Sequence, residues 1–244
     1  HFAALLETWL VLAEADRVLL REGAELNLAI ARHGLSLLPA GFVAPGVHDA
    51  QTRLARLVSA GVHARMSGEA LPVMSLAGSG NKGITVSVPV VLWGREAGHS
   101  QERIDEALAF ACLVTASVTH HLGTLSAICG AANAGGIGIA AAIVMLEGGS
   151  AAQVGLAVNN IVGNVAGMIC DGAKIGCAMK TMTGVDAAFR AAGLALAGIG
   201  IPATDGIVAA SGEASLANLG RIAQVGMAQV DAEILDIMQG KLRA

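Results

Sequence analysis

The stretch LSAICGAANAGGIGIAAAIVML, residues 125–146, carries no charged side chain and is long enough to cross a bilayer as a helix. Its composition argues for a buried helix instead. Ser126, Asn133 and the run Gly135-Gly136-Ile137-Gly138 stand where insertion favours Leu, Ile and Phe, and no basic flank marks a cytoplasmic end. The segments around it are amphipathic rather than uniformly apolar, so the pattern predicts a helix enclosed by other helices.

The whole chain carries the same bias. Of 244 residues, 54% are hydrophobic, 14% are charged and 32 are Gly, against usual shares of about 25% charged and about 7% Gly. A chain of this length buries a core without staples. Fifteen Lys and Arg against 19 Asp and Glu, 2% aromatic residues and no Tyr exclude a nucleic-acid surface, which needs clustered cations and stacking rings. Cys112, Cys129, Cys170 and Cys177 are too few and too unevenly placed for a secreted disulfide framework. No signal-peptide pattern follows His1. The expectation is a cytoplasmic protein with no membrane or nucleic-acid partner, assembled as a homo-oligomer through its small, apolar residues.

Helical spacing dominates outward from the opening stretch. Ser100 reads as an N-cap for a helix with Ile104, Leu108, Ala111, Val114, Val118 and Leu122 on one face. Ser150 with Gln153 reads as a capping box before Val154, Ala157, Ile161 and Val165. Leu216, Leu219, Met227, Val230, Ile234 and Ile237 predict one amphipathic helix. Helical pattern also covers 5–32 and 51–66. Over 84–93, β-branched residues alternate with small ones as in a strand, while Pro89 suits the first turn of a helix better; the pattern leaves both open. The fold class is therefore mainly α, a compact multi-helix domain with Gly-rich loops and room for a small strand near 84–93. Gly41 to Gly46 interrupts the periodicity. It separates an N-terminal helical segment, 1–45, which fits the end of a preceding domain, from a helical domain over 46–244.

Two loops carry chemistry. In Cys170-Asp171-Gly172-Ala173-Lys174-Ile175-Gly176-Cys177, glycines permit the chain to wrap two thiols toward one centre. Cys129, followed by Gly130, is a third candidate; three thiolates suit zinc or an iron–sulfur cluster, and buried cysteines serving as small hydrophobes are the plainer alternative. Cys112 lies beside an apolar stripe and reads as core. The second loop, Ser75 to Gly83, interleaves Gly78, Gly80 and Gly83 with Ser79, Asn81 and Lys82. It offers N–H groups and a cation to a carboxylate or phosphate, or is simply a turn between buried elements. His120 and His121 end a helix and suit either an acid–base role or a C-terminal cap. Asn159, Asn160 and Asn164 either line a site or bridge helices. Arg65 and Glu69 offer a surface salt bridge.

At these residues the sequence resembles a known family. The runs 64–75, 78–84 and 163–177, with Leu125 to Gly130 and Thr204 to Val208, are similar to the serine dehydratase-like α-chain family, specifically its cysteine desulfidase branch. The resemblance covers most of the chain. It implies a lyase with a [4Fe–4S] cluster held by Cys129, Cys170 and Cys177, one iron remaining open to L-cysteine or L-serine. The implied products are pyruvate and ammonia, with sulfide or water eliminated. Gly78, Ser79, Gly80, Asn81 and Lys82 are the candidates for the substrate carboxylate; Asp171, Lys174 and Asn164 are candidates for support of the cluster loop. His120, His121 and Lys82 are the candidate catalytic groups. A Gly-Cys-Thr-Glu-Pro motif found near the family's N-terminus is not present in this sequence. Together with a first residue that is not Met, this departure leads us to expect the C-terminal part of a longer enzyme, or a natural truncation, able to bind a cluster and short of one catalytic cysteine; His63 before Ala64-Arg65-Met66 and the His120-His121 pair are smaller departures. A non-catalytic binding or oligomerisation domain of the same fold and a zinc-binding domain are the alternatives.

Overall fold

Short polar side chains start most of the helices in the computed structural model, which describes residues 12–39, 41–42 and 49–243. Helix α1 is Glu14–Gly34. Asp49 caps α2, Ala50–Met66, by accepting from the Thr52 N–H at 2.7 Å. Ser79 and Ser100 cap α3, Gly80–Glu96, and α4, Gln101–Leu122, in the same way. Helix α5 is Gly130–Leu146. The capping box expected at Ser150 and Gln153 is present at the start of α6, Ala151–Val165. Helix α7, Cys177–Leu196, and α8, Gly212–Arg221, follow. A π-helical turn over Ile222–Gly226 precedes α9, Val230–Arg243.

Among the described residues the protein is all-α, and β pairing is confined to isolated bridges between Leu76 and Ser79 and between Ile128 and Ile169. Helix α5 is the hub: every residue from Ala132 to Leu146 is buried, and the helix packs on α3, α4, α6 and α7. Each fully buried Ile or Met on it contributes about 1.5–3 kcal/mol relative to exposure. No helix among the described residues is long and apolar enough to cross a membrane. Helix α1 packs on α2, α3 and α4, where Arg21 donates from Nε to the buried Asp105 carboxylate at 2.7 Å. The sequence-based helix over 5–32 is found from Glu14; residues 1–11 and much of the 41–46 connection lie outside the described residues.

One open reading is settled and one sequence expectation is corrected. Residues 84–93 are not a strand but the centre of α3. Both halves of the apparent alternation are buried, since Thr85 and Ser87 are as inaccessible as Ile84, Val86 and Val88. Their hydroxyls donate to carbonyls four residues back, at Asn81 and Gly83, so neither face needs water. Pro89 sits well inside the helix rather than in its first turn. The single C-terminal helix is two helices, broken after the turn at Gly226. Beyond Ala223 the stripe is only partly covered: Met227 packs against the core, Val230 and Ile234 are half-buried, and no residue of α9 is fully buried. Packing therefore does not hold a straight helix through a glycine.

Candidate active site: three cysteines and a glycine-rich loop around one cavity

The Gly-rich loop is built by a two-residue turn. Leu76 and Ser79 exchange both backbone hydrogen bonds at 3.1 Å, and Ala77 and Gly78 between them take φ of 45° and 78°. The left-handed pair is the conformation a tight hairpin turn requires. Upstream, the buried Asn27 fixes the strand of chain at Met74, accepting its N–H at 2.9 Å while donating to Ser87 Oγ at 2.9 Å. Downstream, Lys82 points back so that its buried Nζ donates to the Ala77 carbonyl at 3.1 Å. A Cβ on Gly130 would lie 2.9 Å from Lys82 Cε, so glycine there makes room for the lysine stem. Burial pulls the Lys82 pKa below the ordinary lysine value, while the charges of Cys129 and Cys170 push it back up. Asn81 Oδ1 accepts from Arg65 Nη1 at 3.1 Å; its amide donors face only the Met66 sulfur at 3.6 Å.

The cysteines arrive on three separate segments. Cys129 immediately precedes α5, and its N–H donates to the Met168 carbonyl at 2.8 Å. The Cys170 N–H donates to the Ala127 carbonyl at 2.7 Å, so the bridge at Ile128 and Ile169 brings both cysteine segments side by side. Cys177 opens α7; its sulfur accepts from the Lys174 N–H and its thiol donates to the Gly172 carbonyl, each at 3.5 Å. Cys129 and Cys177 thus sit at helix N-termini, where the helix dipole favours a thiolate. For Cys129 burial is the larger influence and raises the pKa, opposed by a hydrogen bond from the backbone at Ala132.

All three cysteines line one cavity of about 410 Å³ together with Gly78, Ser79, Asn81, Lys82, Ser126 and Asp231. The structure therefore brings both sequence motifs together. Gly80 lies outside the lining, against Arg65. Asp171 and Lys174 form an ion pair beside the cavity, and Asp171 is shared with Lys180. Asn164 is exposed and lines no part of the cavity. Neither His120 nor His121 lines it; Thr119 and Leu122 do. Asn159 bonds Ala209 and Ser215, and Asn160 bonds Ile199 and Ile201, so these two bridge helices. Glu69 pairs with His33 at 2.7 Å rather than with Arg65. Cys112 is apart from the site, its thiol pushed up to about 12 by burial, consistent with core packing. Sequence reading missed Asn27, Lys180 and Asp231. Lys180 carried one usable signal, its position one helical turn after Cys177; Asp231 carried none, because only the tertiary fold brings α9 to the cavity.

Among the described residues no group of three or more His, Cys, Asp or Glu side chains is gathered as a single metal ion would need. A zinc ion with Zn–S bonds of about 2.3 Å draws its sulfurs nearly into contact. Iron–sulfur clusters are held by cysteine thiolates, and the three thiols that line the shared cavity are of that donor type.

Comparison with known proteins covers the same ground. The profile of a family described as serine dehydratase alpha chain matches residues 8–236. A UPF0597 protein of Caldanaerobacter subterraneus is 42% identical over 224 residues, covering 90% of this chain and 53% of that protein. A UPF0597 protein of Oleidesulfovibrio alaskensis is 44% identical over 233 residues, 90% of this chain and 54% of its own. One from Fusobacterium nucleatum is 46% identical over 191 residues, 78% of this chain and 44% of its own. The chain spans about half the length of these curated relatives. No solved structure matches it significantly.

Proposed function

The chain belongs to the serine dehydratase alpha chain family, and from that premise we propose that it is the cluster-carrying part of a [4Fe–4S]-dependent lyase that converts L-cysteine, in preference to L-serine, to pyruvate and ammonia. The observation that carries the reading is the meeting of Cys129, Cys170 and Cys177 with the Lys82 loop in one cavity. With those three thiolates as ligands, the chemistry supplied there is that of a Lewis acid on the departing thiol or hydroxyl.

The protein's own groups do the rest. The substrate carboxylate is held at the start of α3 by the Ser79 hydroxyl, the Asn81 amide and the helix dipole. Asn81 is suited to this because Arg65 occupies its oxygen while its N–H groups meet no stronger acceptor than the Met66 sulfur at 3.6 Å. Of Lys82, His120 and His121, only Lys82 lines the cavity. It is placed to accept the α-proton, and its lowered pKa is the direction a base needs. Loss of the α-proton and the β-substituent leaves an enamine, which tautomerises and is hydrolysed. The balance is L-cysteine plus water giving pyruvate, ammonia and hydrogen sulfide. A reducing cytoplasm suits such a site, and the homo-oligomer expected from composition belongs to the same proposal.

The test is anaerobic reconstitution with iron and sulfide, followed by addition of L-cysteine or L-serine. Release of pyruvate, or a change in the cluster spectrum on substrate binding, is expected; both should be lost in Cys170→Ala, and Lys82→Met should lose pyruvate release. Neither pyruvate nor a spectral change with either amino acid would overturn the assignment.

A further inference from the structure

Cys170 and Cys177 are joined by a side chain that belongs to neither motif. Lys180 lies three residues after Cys177 in α7, so the two share one helix face. Its Nζ donates to the Ile169 carbonyl at 2.8 Å and to the Asp171 carboxylate, gripping the residues on both sides of Cys170. The lysine side chain is sheltered, 21% exposed. Across the segment, the Cys170 N–H is bonded to Ala127. The three cysteines are thus linked in series: Cys129 to Cys170 through the bridge, and Cys170 to the helix of Cys177 through Lys180. Lys174 also pairs with Asp171, but from within the loop, so it does not tie that loop to a helix. The tie matters because 171–176 contains Gly172, at φ 92°, and Gly176, and so has wide backbone freedom of its own.

We propose that Lys180 is a positioning residue that clamps both neighbours of Cys170 to the helix beginning at Cys177, and so sets the separation and orientation of these two thiols for the ligand they share. The proposal rests on the reading of Cys170 and Cys177 as co-ligands.

Its test has two arms on the whole chain. In the reduced, metal-free protein, amide hydrogen exchange reads the clamp directly. Lys180→Met is expected to speed exchange at Cys170 and Asp171 by about tenfold with an unchanged melting temperature. Lys180→Arg should restore protection, and Lys174→Met should leave it largely intact. In the reconstituted protein, iron release to a chelator should be about tenfold faster in Lys180→Met and again rescued by Lys180→Arg. Asp171→Ala, which cuts the clamp from the loop side, serves if Lys180→Met fails to fold. Unchanged exchange, or altered exchange with unaltered iron release, overturns the proposal. If the parent chain takes up no cluster while Lys180→Met still loosens Cys170, the clamp stands and the cluster reading falls.

Discussion

Asp171 shows how tightly charge is organised around the cysteines. Lys174 and Lys180 both bond its carboxylate and hold the pKa near 2, below the usual 3.8. A carboxylate with a depressed folded-state pKa contributes stability that is fully present above the unfolded value and is lost as pH falls from about 3.8 toward about 2. Asp171→Asn should therefore flatten that part of the acid limb in melting curves recorded at stepped pH. Because the carboxylate is partly exposed, solvent screening limits its effect at pH 7 to below about 1 kcal/mol. Lys82 has the opposite character. Burial disfavours its charge, so Lys82→Met should keep the melting temperature of the parent while abolishing pyruvate release; a large loss of stability would assign it a structural role instead. At this scale the site was largely legible in the sequence, because glycine next to Cys, Ser, Asn and Lys is a local pattern. Lys180 was not, since its partners at Ile169 and Asp171 are set by where α7 starts and how it turns.

Among the elements, α5 and α7 cross where side chains are smallest. A Cβ on Gly184 would lie 2.8 Å from Ala132 Cα and 2.9 Å from its carbonyl oxygen. Those atoms are backbone and cannot rotate away. Gly184→Ala gains about 1 kcal/mol of helix propensity, but overpacking costs about 1–3 kcal/mol. With two helix backbones forced apart, the cost wins, and denaturant melts should show a net loss. Helix α9 is the converse case. Leu235 and Ile237 are more than half exposed, so Leu235→Gln and Ile237→Gln should each change stability by less than about 0.5 kcal/mol. A larger loss would show that α9 is packed in solution. Sequence patterning was least informative in α3 and over 216–237. In α3 both faces are buried, which erases the contrast that periodicity needs; in 216–237 the stripe runs on, but the structure buries only its first part.

At the scale of the whole molecule, the scarcity of charge and abundance of glycine resolve into helices closely packed around α5, an arrangement that the uncharged run 125–146 already implied. The all-α class, the central buried helix and the family were readable from sequence. The convergence of 78–82, 129 and 170–177 was implied only by the family resemblance, because it depends on a pairing of Ile128 with Ile169 that no local pattern encodes. The chain matches relatives about twice as long, and all three proposed cluster ligands lie within it, so the proposed cluster binding is testable on this chain alone. The direct measurement is anaerobic reconstitution of this chain with iron and sulfide, followed by visible absorption and iron analysis. The account predicts a broad charge-transfer band that is lost in Cys129→Ala, Cys170→Ala and Cys177→Ala and kept in Cys112→Ala. Absence of the band, or a band that persists when Cys170 is removed, would contradict it.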